Sequence, residues 1–316
     1  MREIGGYIEL DTYHLPMLHE GAVALNSGRN CLAYLIQVNK IKKILLPYYL
    51  CNSVRDICKR ENVEISYYSI DNVFRPINVS LQDDEWLYIV NYYGQLDNKY
   101  LEQTKKEHNR VIVDNAQAYF QMPIENTDTL YTCRKFFGVA DGAFLYTQKT
   151  LDEELLPDES FERMRFLLGR YERTASEFYK EYTDNNRLFG NQPIKTMSKL
   201  TMNLLHGIDY AVVKERRTRN FSVLHNQFKN MNKLQLTIPE GAFMYPLYVV
   251  NGAEIRKKLQ EKKIYIPTLW PDVFGYCTET QMEYDMAKNI LPIPIDQRYN
   301  TDDMLYITDE VIRSVN

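Results

Sequence analysis

The sequence contains no apolar run approaching the roughly 20 residues that span a bilayer, so no membrane segment is expected among its 316 residues. It also lacks an excess of basic charge. Its 38 Lys and Arg against 42 Asp and Glu leave a formal charge of −4, which offers no cationic field to nucleic acid or an anionic membrane. The N-terminus has no basic-then-apolar leader pattern. Cysteine is sparse: positions 31, 51, 58, 133 and 277 are scattered, odd in number and without metal spacing. Together these absences predict a cytoplasmic protein with reduced thiols. The five histidines (14, 19, 108, 206, 225) form no metal spacing either, and neither Cys51 nor Cys133 has a histidine near it in sequence. No internal repeat, low-complexity tract or long flexible linker is present. What remains is ordinary for a globular protein, with 45% hydrophobic and 25% charged residues. The length allows two domains around one large core.

The first two-thirds alternate strand-like and helix-like runs. Strands are expected at Ala22 to Leu25, Lys43 to Leu46 (stopped by Pro47), Val63 to Tyr68, Trp86 to Tyr92 and from Val111. Helical patterns fill Cys31 to Ile36, Val54 to Glu61 and Lys99 to Glu107. Short β-branched runs separated by helices predict βαβ units, hence an α/β fold with a mostly parallel sheet covered by helices, and a ligand site beyond the carboxyl ends of the strands. Charged residues at helical neighbour spacing predict a helix across Leu151 to Arg187. The apolar positions Leu200, Leu204, Ile208, Ala211 and Val212 predict one amphipathic helix within Met197 to Phe228. From about Pro239 the pattern becomes that of a compact α+β domain. It has strands at Tyr245 to Val250, Ile264 to Ile266 and a Pro-marked Asn289 to Ile295, and helices at Ala253 to Lys262 and Thr301 to Val315.

Two segments carry the chemistry. Val111-Ile-Val-Asp114-Asn115-Ala116-Gln117 reads as a buried strand that delivers a carboxylate and an amide at its carboxyl end. Thr132-Cys133-Arg134-Lys135, followed by Gly138 and Asp141-Gly142, presents a lysine in an apolar, glycine-punctuated setting. A carboxylate facing one end of a ring and a lysine at the other suit pyridoxal 5'-phosphate (PLP). The lysine makes a Schiff base, and the carboxylate keeps the pyridine nitrogen protonated. On local grounds Asp114 has a second reading, as a capping aspartate. Gln117 is placed to hydrogen-bond the ring hydroxylate. Lys135 is expected to be partly desolvated, which would lower its pKa towards imine-forming reactivity. Ser27-Gly28-Arg29-Asn30, between a strand and a helix, suits a phosphate at a helix N-terminus or an ordinary glycine turn. Thr132 offers that phosphate a hydroxyl.

In this order the segments resemble the DegT/StrS sugar-nucleotide aminotransferases, which have the type I PLP-dependent transferase fold. Asn26-Ser-Gly-Arg-Asn-Cys-Leu32 is similar to the family's Ser-Gly-Thr-Ala-Ala-Leu phosphate loop. Pro47-Tyr-Tyr-Leu-Cys-Asn52 is similar to the segment that covers the ring. Val90-Asn-Tyr-Tyr-Gly-Gln95 resembles its His-Leu-Tyr-Gly-Gln, and Asp114-Asn-Ala-Gln117 its Asp-Ala-Ala-Gln. Lys135 with Gly138 and Asp141-Gly142 resembles the loop of the Schiff-base lysine. Met197-Ser198 and Leu291-Pro-Ile-Pro-Ile295 with Asp302-Asp303 resemble later family segments.

The resemblance implies a large PLP-binding domain over residues 1–209 and a small C-terminal domain over 210–316. It implies a homodimer that transfers an amino group, by a ping-pong route, from a donor such as glutamate to a keto sugar carried on a nucleotide. Lys135 would be the catalytic residue. Gly28, Arg29, Asn30, Cys51, Asp114, Gln117 and Thr132 would join it in binding the cofactor. The sequence departs from the family pattern at Ile194-Lys195-Thr196, where Asn-Tyr-Arg is common. It departs again at the ring-covering position, where Cys51 or Tyr49 stands. These departures leave room for a PLP-fold protein altered into a binding or regulatory role, or for a PLP enzyme acting on a small amino acid.

Overall fold

The computed structural model describes residues 4–315. Strand β1 (Val23–Leu25) leads into helix α1 (Gly28–Asn39). Then follow β2 (Lys43–Pro47), α2 (Asn52–Arg60), β3 (Glu64–Ile70), β4 (Pro76–Ile77) and β5 (Glu85–Val90). Helix α3 (Asn98–Glu107) precedes β6 (Val111–Asp114), β7 (Asp128–Thr132) and β8 (Ala143–Tyr146). These eight strands form one sheet in the order β1-β8-β7-β6-β5-β2-β3-β4. The pairs β3/β2, β2/β5, β5/β6 and β6/β7 are parallel, and β8 pairs antiparallel with both β7 and β1. Two antiparallel steps restore direction, so β1 runs the same way as the parallel set. Its end, the start of α1, therefore lies on the same edge as the carboxyl ends of β2, β5, β6 and β7. Apart from the half-buried Trp86, the central strands β5 and β6 are buried, as a doubly covered parallel sheet requires.

Helices α4 (Arg165–Glu172) and α5 (Tyr179–Leu188) replace the single helix expected over Leu151 to Arg187. Neighbouring charge pairs stabilise a helix by only about 0.2–0.5 kcal/mol each. Helix therefore persists here only where apolar anchors exist, and Met164, Phe166 and Phe178 pack with Ala140 in a small cluster of their own. The helix expected over Met197 to Phe228 is likewise two, α6 (Lys199–Leu205) and α7 (Tyr210–Phe228). Asp209 caps the second by accepting from the Val212 amide at 3.1 Å, which the apolar period alone does not reveal.

Beyond α7 come β9 (Met244–Tyr248), α8 (Gly252–Glu261), α9 (Met282–Asn289), β10 (Ile290–Pro294) and α10 (Thr301–Val315). β9 and β10 form a two-stranded antiparallel sheet with Pro246 opposite Pro292, a pairing that needs no amide donor at either residue. Residues 264–266 are not a strand. Ile264 and Ile266 are buried in the second core by side chain alone. That core runs from Phe221 to Val311, while the first spans both sides of the large sheet and takes in Val213, Phe243 and Trp270. All five cysteines are free, and no described helix is long and apolar enough to cross a membrane.

Candidate active site

Asp114 ends β6 with its carboxylate buried. Oδ2 accepts from the Tyr88 hydroxyl at 2.8 Å and Oδ1 from the Ala116 amide at 2.8 Å. No helix follows, so the capping bond closes a turn and leaves Asp114 facing the strand ends. Burial pushes its pKa up, and the Lys135 charge, the Ala116 amide and the Tyr88 hydroxyl oppose that rise.

Lys135 lies in the loop between β7 and β8 and is exposed, contrary to the desolvated setting expected of it. The apolar residues around it, Phe136, Phe137 and Val139, turn into the core and leave its side chain out. Its Nζ stands 5.4 Å from the centroid of the Phe243 ring, a cation–π contact with a residue distant in sequence. Arg217, buried on α7, fixes this loop. It donates to Phe136 O at 3.2 Å, Ala242 O at 3.0 Å and Phe243 O at 3.3 Å, and its Nε donates to Gln297 Oε1 at 2.8 Å. One cation thus ties the residue after Lys135 to the ring that faces Lys135. Burial lowers the Arg217 pKa to about 10. Arg217→Met leaves two buried carbonyls, Ala242 O and Phe243 O, without donors, while Phe136 O keeps Gln297 Nε2 at 2.8 Å. It is expected to cost about 3 kcal/mol, read as a lowered midpoint of chemical denaturation.

Gln117 is buried, and its Oε1 accepts from the Tyr93 amide at 2.8 Å. That bond fixes the amide orientation, so Nε2 is the end free to donate outward. Tyr93 sits at φ 53°, a costly conformation for a bulky residue. Gln117 therefore also holds the Tyr92–Gly94 turn that follows β5.

At the start of α1, Ser27 Oγ accepts from the Asn30 amide at 3.2 Å, leaving the amides of Gly28 and Arg29 at the helix end. A Cβ added to Gly28 would lie 3.9 Å from Thr132 Cβ, so this helix end and the end of β7 form one cup. The Asn30 side chain points away from it: Nδ2 donates to Asn26 Oδ1 at 2.9 Å and to Pro193 O at 2.8 Å. Arg29 is half-buried. Burial lowers its pKa, offset by Cys51 and Asp56. Arg134 is lowered to about 10, again first by burial, with Arg29 and Arg163 repelling it.

The Ile194-Lys195-Thr196 segment braces this turn from behind. Lys195 O accepts from the Asn26 amide at 3.0 Å, and Lys195 Nζ pairs with Asp158 at 3.4 Å. Asp141 accepts from the Ser198 amide at 2.8 Å, from the Ser198 hydroxyl at 2.7 Å and from the Thr201 hydroxyl, which joins the Asp141-Gly142 loop to the start of α6. Cys51 is half-buried at the start of α2. Tyr49 is sealed against Trp270, with ring centroids 4.6 Å apart.

Gly28, Arg29, Cys51, Asp114, Gln117, Thr132 and Lys135 thus gather at one sheet edge. Asn30 supports the turn instead. Sequence reasoning passed over Tyr88, Phe243 and Arg217. A signal existed for the first: a tyrosine in a fully buried strand needs a partner for its hydroxyl.

No family model matches this chain, and no curated protein matches it. Solved structures do. DesV of S. venezuelae, determined in complex with a ketimine intermediate, aligns with a TM-score of 0.65 at 14% identity, over 92% of this chain and 84% of DesV. The sugar aminotransferase CalS13 from Micromonospora echinospora gives 0.62 at 12%, over 93% and 87%. Helicobacter pylori PseC, an aminotransferase involved in the biosynthesis of pseudoaminic acid, gives 0.65 at 10%, over 93% and 86%. At these identities the likeness establishes the fold: the large mixed sheet with its flanking helices is the fold of these sugar aminotransferases.

Proposed function

We propose that this chain is a PLP-dependent aminotransferase that moves an amino group from a donor such as glutamate to a keto sugar carried on a nucleotide. The observation that carries the reading is the meeting of Asp114, Lys135 and the α1 N-terminus at one sheet edge. Asp114 is a buried carboxylate that feels the Lys135 charge, and the α1 amides lie beside Thr132.

Pyridoxal phosphate fits these groups. The α1 amides, Arg29 and the Thr132 hydroxyl suit a phosphate dianion. Asp114, buried and held by two neutral donors, suits a pyridinium N–H. Gln117 Nε2 is a donor for the ring hydroxylate, and Cys51 borders the cup beside Arg29. When bound, the cofactor supplies a protonated ring that withdraws electrons from the carbon bearing the transferred nitrogen. Lys135 Nζ would hold the cofactor through its aldehyde carbon and, when free, would move the proton at the reacting carbon. Asp114 Oδ2 and Oδ1, fixed by Tyr88 and Ala116, orient the ring. Asn30 keeps the phosphate turn in shape through Asn26 and Pro193.

The like-folded sugar aminotransferases support the acceptor class. A homodimer is part of the proposal, supported by exposed apolar side chains at Ile4, Tyr7, Ile8, Phe161, Leu168 and Tyr171. So is a division into 1–209 and 210–316, supported by the α6–α7 break before Tyr210 and by the separate second core. The five free cysteines support a cytoplasmic site.

The test is the visible absorbance of the protein with PLP, before and after glutamate. The expected result is a band that glutamate bleaches, and that borohydride first fixes to Lys135. A band unmoved by any amino donor would mark a binding protein. No band with excess PLP would end the reading.

A further inference from the structure

We propose that Tyr88 is a positioning residue for the cofactor-facing carboxylate: its hydroxyl fixes Asp114 Oδ2 and favours the carboxylate over the acid. The inference deepens the proposed function and rests on it only for the identity of the group that Asp114 meets.

β5 and β6 run parallel with Tyr88 opposite Ile112 and Val90 opposite Asp114. Side chains two apart share a face, so Tyr88 and Asp114 are diagonal neighbours, within reach of a long aromatic side chain. The tyrosine bridges that diagonal and donates to Oδ2 at 2.8 Å. Tyr88 is itself held, because the Tyr68 hydroxyl from β3 donates to its carbonyl at 2.8 Å. Both ring and hydroxyl are buried. Burial and the adjacent carboxylate keep the phenol protonated, so it stays a donor.

The groups facing Asp114 from the surrounding elements are few. Cys31 on α1 is a buried thiol held protonated, Tyr92 after β5 a buried phenol held protonated, and Lys135 the cation. Among the described residues, only Tyr88 and the Ala116 amide donate to the carboxylate. Ala116 contributes a backbone amide and Lys135 a charge without a hydrogen bond, so Tyr88 is the side chain that both hydrogen-bonds the carboxylate and favours its ionised form.

The test uses apoprotein labelled with [13C]aspartate. The Asp114 carboxyl resonance is identified by its absence in Asp114→Asn and followed against pH in wild type, Tyr88→Phe and Tyr68→Phe. The expected result is an upward shift of the Asp114 titration by roughly one pH unit in Tyr88→Phe, the effect of one hydrogen bond to a charged group. Tyr68→Phe removes a buried hydroxyl that meets the Tyr88 carbonyl and not Asp114, and its titration should move far less than that of Tyr88→Phe. A Tyr88→Phe variant that melts lower but leaves the Asp114 titration in place would overturn the proposal, because packing alone would account for the residue. An equal shift in Tyr68→Phe would overturn it too. The readout needs no cofactor, so an absence of PLP binding would remove the proposed function without touching this result. Where PLP binds, the pH at which its visible band changes form should move in Tyr88→Phe and far less in Tyr68→Phe.

Discussion

Lys135→Ala is expected to abolish turnover, by about 10⁴-fold or more, while leaving the fold intact. The loss combines nucleophilic attachment with proton transfer, each a large contribution, from one side chain. The small structural effect follows from the surroundings of Lys135: it is exposed, and its one defined partner is the face of Phe243 at 5.4 Å. Exposed substitutions and single exposed cation–π contacts each cost about 1 kcal/mol or less. The melting temperature should therefore shift by no more than about 2–4 °C. The checks are single-turnover rates with glutamate and thermal denaturation of both proteins. Wild-type turnover in Lys135→Ala would sink the assignment of Lys135. A collapse of the fold would show the loop to be structural.

Asp114→Asn carries the second large effect, with opposite signs for activity and stability. Activity should fall by about 10²–10³-fold, the usual scale for losing a pre-organised electrostatic partner. Stability should change the other way at neutral pH. Burial raises the Asp114 pKa above its ordinary value of 3.8, so the folded protein binds this proton more tightly than the unfolded chain. The favourable contribution is complete below the unfolded value and is lost as pH rises through the folded one. An asparagine carries no such burden. Its oxygen accepts from Ala116, and its amide nitrogen donates to the Tyr88 hydroxyl in place of accepting from it. Relative to wild type, the apo variant should therefore gain melting temperature as pH climbs from about 4 to 7. Paired thermal melts across that range give the answer. A difference that stays flat, or that shrinks with pH, would mean that Asp114 is not held above its ordinary value.

The two predictions trace back to different kinds of information. Asp114 and Lys135 were legible in the sequence because each follows a recognisable local cue, a β-branched buried strand in one case and a glycine-punctuated loop in the other. The same holds for α1, for the central strands and for the last helix. Their signals lie within a few residues, in side-chain period and capping chemistry. The fold class followed, since short apolar strands alternating with helices leave few other ways to bury both faces of a sheet.

Tertiary structure decided the rest, wherever competing local signals were close in energy or the partners were far apart in sequence. Helical charge spacing ran through residues 151–187, yet only the stretches anchored by Phe166 and Phe178 kept the helix. The apolar period ran through 207–209, yet Asp209 capped a new start. Ile264 and Ile266 alternated like a strand but pair with neither β9 nor β10, and the second core takes them by side chain alone. Lys135 stands in an apolar stretch, but its neighbours turned inward and left it at the mouth of the site against Phe243. The Tyr88–Asp114 bond joins residues 26 positions apart, and the Arg217 bond to Phe136 spans 81. By itself the sequence determined the strands of the large sheet, the helices between them and the last helix, because those choices rest on interactions within a turn or a strand. Which side chains meet at the site, and which face water, was set by the order of the strands across the sheet and the docking of the C-terminal unit, because only packing brings such distant donors and acceptors together.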